Sequence, residues 1–371
     1  MKYRNIKKYF DPYLMVTYGE NCLIYDPFSG TIVIKEVIRM DEKIKISAPK
    51  SVYGLLKKDC EDFKIIKADT SPNMNAFLLN AVVSNYYEEF ACAEEKLRDE
   101  VGKAVEIVPD RYRETVYLNT LKILTGKRFE SEDKKSKVFS FKPTKNAEKA
   151  VIYIENMLLQ NESVSSFYRR LFTAYSQKTK NEREKIVFKE NYLLLSKAVG
   201  KGVKVCISFT NGNVIKGASV YSVSASKDEL FNYVLFYNGK QNATVRLASV
   251  KTVSLLAERS KIPEENAALF SRQVECAAQY PMYNSDREPV KVRLTEKGKV
   301  LFSKIYLYRP SPVSVDGDIY TFNCSANQIL YYFERFGDSA VILSPKKLGI
   351  FMRNYHYFAY KKYKTIYGRT D

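Results

Sequence analysis

The hydrophobic period of this chain changes at Gly200, and no other feature of the sequence constrains its fold as strongly. Upstream, apolar residues recur three and four apart in AVIYIENMLLQ (150–160), SVSSFYRRLFTAYSQ (163–177) and REKIVFKENYLLLSKAV (183–199), the pattern of helices with one buried face. Downstream, as far as residue 256, short alternating runs separated by turn residues take over. VKVCISF (203–209), VIKGASVYSV (214–223), FNYVLFYNG (231–239) and ATVRLASVKTVSLL (243–256) read as strands, with NGN (211–213) turning the first into the second. Strands this short and this close together predict a small barrel, because closure removes exposed edges. One core does not organise both patterns across 371 residues, so several domains are expected.

The N-terminal part has its own patterns. LMVTY (14–18) and TIVIKEVI (31–38), split by the turn-like DPFSG (26–30), read as a small hairpin without function. KIKIS (43–47) alternates a basic face with an apolar one, Pro49 opens a helix over 51–63, and Ser71 caps a second helix with Met74, Phe77, Leu78, Ala81, Val82 and Tyr86 along its inner stripe. The pattern stays helical to Thr120 with a break at Pro109, and the charged, Pro143-containing stretch 128–149 reads as a linker. After the barrel, 261–279 is helical and 281–289 connects to a last module. Its strands are expected at 290–295, 304–310, 318–324 and 340–345, with a helix over 327–337. The expected fold class is α+β multidomain: an N-terminal hairpin (1–42), a strand-helix-helix module (43–90), a helical linker region (91–200), the barrel and its following helix (201–280), and a C-terminal α/β extension (287–371).

Lys and Arg outnumber Asp and Glu by 60 to 42, a formal charge of +18, which points to polyanionic partners. A basic surface kept only for solubility is the alternative. Neither end offers an amphipathic anchor, so no membrane partner is expected. The six cysteines contain no CxxC pair and the start MKYRNIKKYF lacks the apolar stretch of a signal peptide, so a reducing cytoplasm is expected. His356 is the lone histidine and builds no metal site by itself. GKGVKV (200–205) lacks the phosphate-loop pattern, and isolated acids such as Glu184 and Asp228 show no catalytic partner. No enzyme activity, metal or cofactor is expected.

The stretch from 145 to about 362 resembles bacterial WYL-domain proteins, named for a Trp-Tyr-Leu strand in a small Sm-like or SH3-like barrel. NYVLFY (232–237) matches that strand with Asn232 for Trp, Tyr233 kept and Val234 for Leu. Val220 and Tyr221 align with the family's Pro-Tyr element, and VRLASV (245–250) aligns with its Phe-Arg-Leu-Asp-Arg-Ile element, keeping Arg246 and Leu247 and carrying Ala248 and Ser249 in place of the Asp and second Arg. REKIVF (183–188) resembles the helical lead-in, and QILYYFERFGDSAVILSPKKL (328–348) the extension that follows a WYL barrel. Residues 43–90 are similar to a ribbon-helix-helix module, which implies a homodimer whose two strands pair into one ribbon. The whole arrangement resembles the WYL accessory proteins of type VI-D CRISPR systems. That resemblance implies binding of single-stranded RNA and stimulation of an RNA-guided, RNA-targeting CRISPR effector. A dimeric transcriptional regulator whose ribbon reads DNA and whose barrel senses a ligand is the alternative.

Candidate nucleic-acid-binding residues follow from residue type. In the barrel, Tyr221, Tyr233 and Tyr237 offer rings for stacking, while Lys204, Lys216 and Arg246 offer charge for phosphates. Core filling by the tyrosines is an equal reading. Arg246, on a strand otherwise apolar at Val245 and Leu247, needs an anionic or hydrogen-bonding partner. On the ribbon, Lys43, Lys45 and Ser47 face away from the core, and Lys57 and Lys58 follow on the first helix; simple solvation explains them as well. The run 353–370 interleaves tyrosines with Arg353, Lys361, Lys362, Lys364 and Arg369, the composition of a stacking-plus-charge surface. A helix docked by its aromatic stripe, or a dimer contact, is the favoured reading there.

Overall fold

A computed structural model of the chain describes residues 15–18, 21–25, 32–36, 43–129, 136–159 and 162–368. The expected turn at 26–30 and Arg369 lie outside the described residues. The architecture is mixed α+β in two compact units, residues 1–187 and 188–371. Among the described residues no helix is long and apolar enough to cross a membrane.

In the first unit, β1 (Met15–Tyr18), β2 (Asn21–Tyr25) and β3 (Ile32–Glu36) form a three-stranded antiparallel meander where a two-stranded hairpin is expected from the sequence. The alternating strand at 43–47 is β4 (Ile44–Pro49), with Ile46 and Ala48 buried and Lys43 and Lys45 exposed. Its partner corrects two expectations. β4 pairs antiparallel with β5 (Ser136–Phe141) of the same chain, in the register Ile44↔Phe141 and Ile46↔Phe139. The ribbon is therefore completed within one chain rather than by a second copy, and the stretch that looks like a linker supplies its second strand. The reason is physical: Phe139 and Phe141 alternate with the exposed Val138 and Ser140, so a half-buried strand lies inside a segment whose average composition is polar.

α1 (Lys50–Asp62) follows Pro49 directly. α2 (Met74–Ala76), capped by Asn73, runs through a π-helical turn at Phe77–Val83 into α3 (Ser84–Ala104). α4 (Asp110–Phe129) begins just after Pro109, and α5 (Glu148–Tyr153) continues into a second π-helical turn at Ile154–Leu158. α6 (Val164–Gln177) buries Phe167, Tyr168, Leu171, Phe172 and Tyr175 against β4 and α1, and α7 (Lys180–Val187) closes the unit. An ion pair sits inside this core. Arg183 donates from Nε and Nη2 to the two oxygens of Asp59 (2.6 and 3.1 Å), and the Tyr175 hydroxyl donates to the same carboxylate (3.1 Å).

In the second unit, α8 (Lys189–Lys201) is separated from α7 at Phe188, so the apolar run 183–199 makes two helices rather than one. α8 ends on Gly202, whose φ of +61° is the left-handed conformation that suits glycine, and this is where the hydrophobic period switches. β6 (Val203–Phe209), β7 (Val214–Ala225), β8 (Asn232–Tyr237), β9 (Asn242–Arg246) and β10 (Val250–Arg259) form one antiparallel sheet in the order β10-β6-β7-β8-β9. The sheet is not closed: no ladder joins β9 to β10, which are linked by a single 3-10 turn at Leu247–Ser249. That turn also divides the run 243–256, expected to be one strand, into two. Core closure comes from packing instead, because α8 presses Leu195 and Ala198 onto Val205, Ile207, Phe209, Val220, Val234, Phe236, Leu247 and Val253.

α9 (Glu264–Cys276) leads to the C-terminal module, made of β11 (Val290–Leu294), α10 (Glu296–Lys304), β12 (Pro312–Asp316), β13 (Ile319–Phe322), α11 (Ala326–Phe333), β14 (Ala340–Ser344) and α12 (Lys346–Tyr367). Its sheet order is β12-β13-β11-β14. KIYLYRP (304–310) is not a strand; it follows α10 as a turn, and Tyr308 takes a φ of +62°. α10 starts beneath the backbone of the segment before β14, and a Cβ built on Gly298 would lie 2.1 Å from the Ser339 carbonyl oxygen. Gly298→Ala is therefore expected to cost about 1–3 kcal/mol or more through overpacking against rigid backbone. Denaturant unfolding of the purified variant checks this, and a midpoint equal to that of the parent chain refutes it.

Candidate nucleic-acid interface

The sheet of the second unit has a second covered face. Along β8, Val234 and Phe236 point to the α8 core, while Tyr233, Leu235 and Tyr237 point the other way. α9 lies over that face through Phe270, and Tyr221 stacks on Phe270 with ring centroids 5.0 Å apart and planes 21° from parallel. One face of the Tyr221 ring is thus already occupied. Tyr233 and Tyr237 are half-buried in the same small cluster, and the Tyr237 hydroxyl donates to the Gly239 carbonyl (3.0 Å). The tyrosines serve first as packing for α9. Gln273 of α9, fully buried, locks the layer by donating to Thr244 Oγ1 (2.8 Å) and the Ala278 carbonyl (2.7 Å).

Arg246 is the cross-strand neighbour of Tyr233, and its guanidinium carbon sits 3.5 Å over the centre of the Phe231 ring. This fixes a half-buried cation flat against an aromatic surface. The other candidate cations of this sheet differ. Lys204 is paired with Glu258 at 2.7 Å, whereas Lys216 on β7 is exposed. In the first unit, Lys43 and Lys45 are exposed and Ser47 half-buried on the outer side of β4. Lys57 and Lys58 are exposed on α1, where Lys57 lies 3.9 Å from Glu61.

The fold adds residues that sequence patterns did not single out. Tyr280, after α9, lies against Tyr308 in an edge arrangement (6.4 Å) and against Tyr331 (6.0 Å). Burial, with the neighbouring Tyr308, Tyr233 and Asp228, pushes its hydroxyl up to about 12, so it remains a hydrogen-bond donor throughout the neutral range. Tyr331 is 58% exposed and Tyr306 76%, and the exposed Arg335 donates to the Tyr331 carbonyl (3.4 Å) with its guanidinium over the Tyr332 ring at 5.6 Å. Lys227 reaches the Arg309 carbonyl (3.3 Å) and Ser311 Oγ (2.9 Å). Tyr308 is an aromatic residue in left-handed backbone, a strained state that surrounding structure must hold and that concentrates at ligand sites. The buried Gln328 amide donates to its carbonyl at 3.4 Å. The one legible signal for these residues was YLYRP (306–310), a Tyr- and Arg-bearing run that alternation disguised as a strand.

An α+β chain carrying a five-stranded sheet followed by a mixed α/β module is the class that this fold defines. No family model matches the sequence, and no curated protein does. A solved structure described as a CRISPR Cas-related protein aligns over 89% of this chain and 96% of that chain, with a TM-score of 0.62 at 17% identity, which establishes a shared fold. A second, proteasome accessory factor B/C (PafBC) of Arthrobacter aurescens, aligns over 81% of this chain and 52% of that chain at 13% identity. Its TM-score of 0.22 is too low to carry a structural argument.

Proposed function

We propose that this chain is a non-catalytic, cytoplasmic accessory protein that binds single-stranded RNA and modulates an RNA-guided, RNA-targeting CRISPR nuclease. The observation that carries the reading is that, in the second unit, Arg246 lies over Phe231 and opposite Tyr233, while Tyr280 gathers Tyr308 and Tyr331 and interacts electrostatically with Tyr233 and Arg335. Cations for phosphates and rings for unpaired bases are what single-strand binding requires. The fold shared with a CRISPR Cas-related protein and the WYL resemblance of residues 145–362 support the biological setting. Positioning of RNA near the nuclease would supply the effect, by raising its local concentration. The intrachain β4–β5 ribbon, with Lys43 and Lys45 on its exposed side, favours one second reading: a regulator whose ribbon enters a DNA major groove.

Titration of labelled single-stranded RNA, single-stranded DNA and duplex DNA at two salt concentrations separates the two readings. Single-stranded RNA is expected to bind most tightly. Arg246→Ala with Tyr233→Ala is expected to weaken it about tenfold or more, in line with loss of one stacked base and one phosphate contact. A preference for duplex DNA would overturn the RNA reading and leave the ribbon as the site.

A further inference from the structure

The C-terminal half of α12 is not docked. Only Leu348 and Met352 of this helix are buried, and every described residue from Tyr357 to Gly368 is exposed, including Phe358, Tyr363 and Ile366. The helix carries Lys346, Lys347, Arg353, Lys361, Lys362 and Lys364 and not one Asp or Glu. Among the described residues no ion pair engages Arg353, Lys361, Lys362 or Lys364.

Helical geometry sorts these side chains. Residues 353, 357, 360, 361 and 364 are separated by three- and four-residue steps, so Arg353, Tyr357, Tyr360, Lys361 and Lys364 share one side of the helix. Charge and ring alternate along it, and the Lys364 ammonium lies 5.9 Å from the centre of the Tyr360 ring. The side of the helix that buries Leu348 and Met352 continues instead through the exposed Tyr355, Ala359, Tyr363 and Ile366. We propose that the Arg353–Tyr357–Tyr360–Lys361–Lys364 face of α12 is a second contact surface for single-stranded nucleic acid, its cations tracking phosphates and its two tyrosines stacking on bases. Charge complementarity selects this occupant. Two copies of this face packed together would bring only like charges side by side, whereas a polyanion matches all of them.

The inference rests on the single-strand reading above, and the test distinguishes their failures. The full-length chain is titrated with a labelled 20-nucleotide RNA of mixed sequence over a series of salt concentrations, alongside two multiple variants. Arg353→Gln/Lys361→Gln/Lys364→Gln is expected to flatten the slope of log K against log salt by about 2, since each single-strand phosphate contact contributes about 0.7. Tyr357→Ser/Tyr360→Ser is expected to weaken binding about tenfold or more with the slope unchanged. All five side chains are solvent-facing or half-exposed, so folding is expected to survive both sets of changes. If the parent chain binds the RNA and both variants match it, the α12 proposal fails and the single-strand reading stands. If the parent chain does not bind, both fail. If sedimentation shows that affinity falls only because the variants dissociate into monomers, the face is a self-association surface and the proposal is overturned.

Discussion

Arg183→Ala is expected to destabilise the first unit by about 3–5 kcal/mol, because it strands the Asp59 carboxylate inside the core. Asp59 on α1 is 1% exposed, and both of its oxygens accept from Arg183 at the start of α7, with Tyr175 of α6 as a third donor. Arg183 also donates to the Lys178 carbonyl (2.5 Å), so the guanidinium ties three helices together. Chemical unfolding followed by circular dichroism gives the number. A companion variant, Asp59→Asn with Arg183→Met, removes both charges and is expected to recover more than half of the loss. The pair matters because breaking a buried ion pair costs far more than replacing it. A loss below about 0.5 kcal/mol for Arg183→Ala, the range of an ordinary surface change, would show that the pair is not buried in solution.

Phe270→Ala is the second large effect, about 3–5 kcal/mol for a fully buried phenylalanine. Phe270 is the contact through which α9 covers the outer face of β8, and Tyr221, Tyr233 and Tyr237 rest in the same cluster. Its removal is expected to loosen this layer, so single-strand affinity falls together with stability. Phe270→Leu keeps most of the volume and is expected to cost under half as much. Unfolding curves and RNA titration on the same preparations check both. An alanine variant with parental stability would mean that α9 does not pack on the sheet as described.

How far the site was legible depended on whether a residue's role is set by its own strand or by distant neighbours. Arg246 was visible because a cation between Val245 and Leu247 breaks an apolar strand, and the structure places it against Phe231. Tyr221 was visible only as a ring; that Phe270 occupies one of its faces follows from α9, about fifty residues later in the chain. Tyr280, Tyr308 and Tyr331 come from three segments and carry no shared spacing, so nothing local marked them as a group. The linker reading of 128–149 failed for a related reason, since composition averages over a segment while strand burial needs only alternate residues.

The sequence by itself determined the change from helical to alternating period at Gly200, the positions of most helices and strands of the second unit, and the cationic excess. These are properties of neighbouring residues and of summed charge, and they do not depend on how the chain is assembled. Only the tertiary structure decided that β4 pairs with β5, that the sheet stays open with α8 as its cover, that Tyr221, Tyr233 and Tyr237 back onto α9, and that the last turns of α12 stand in solvent. Each of those outcomes is a choice among partners far apart in the chain, made by which faces can be buried together.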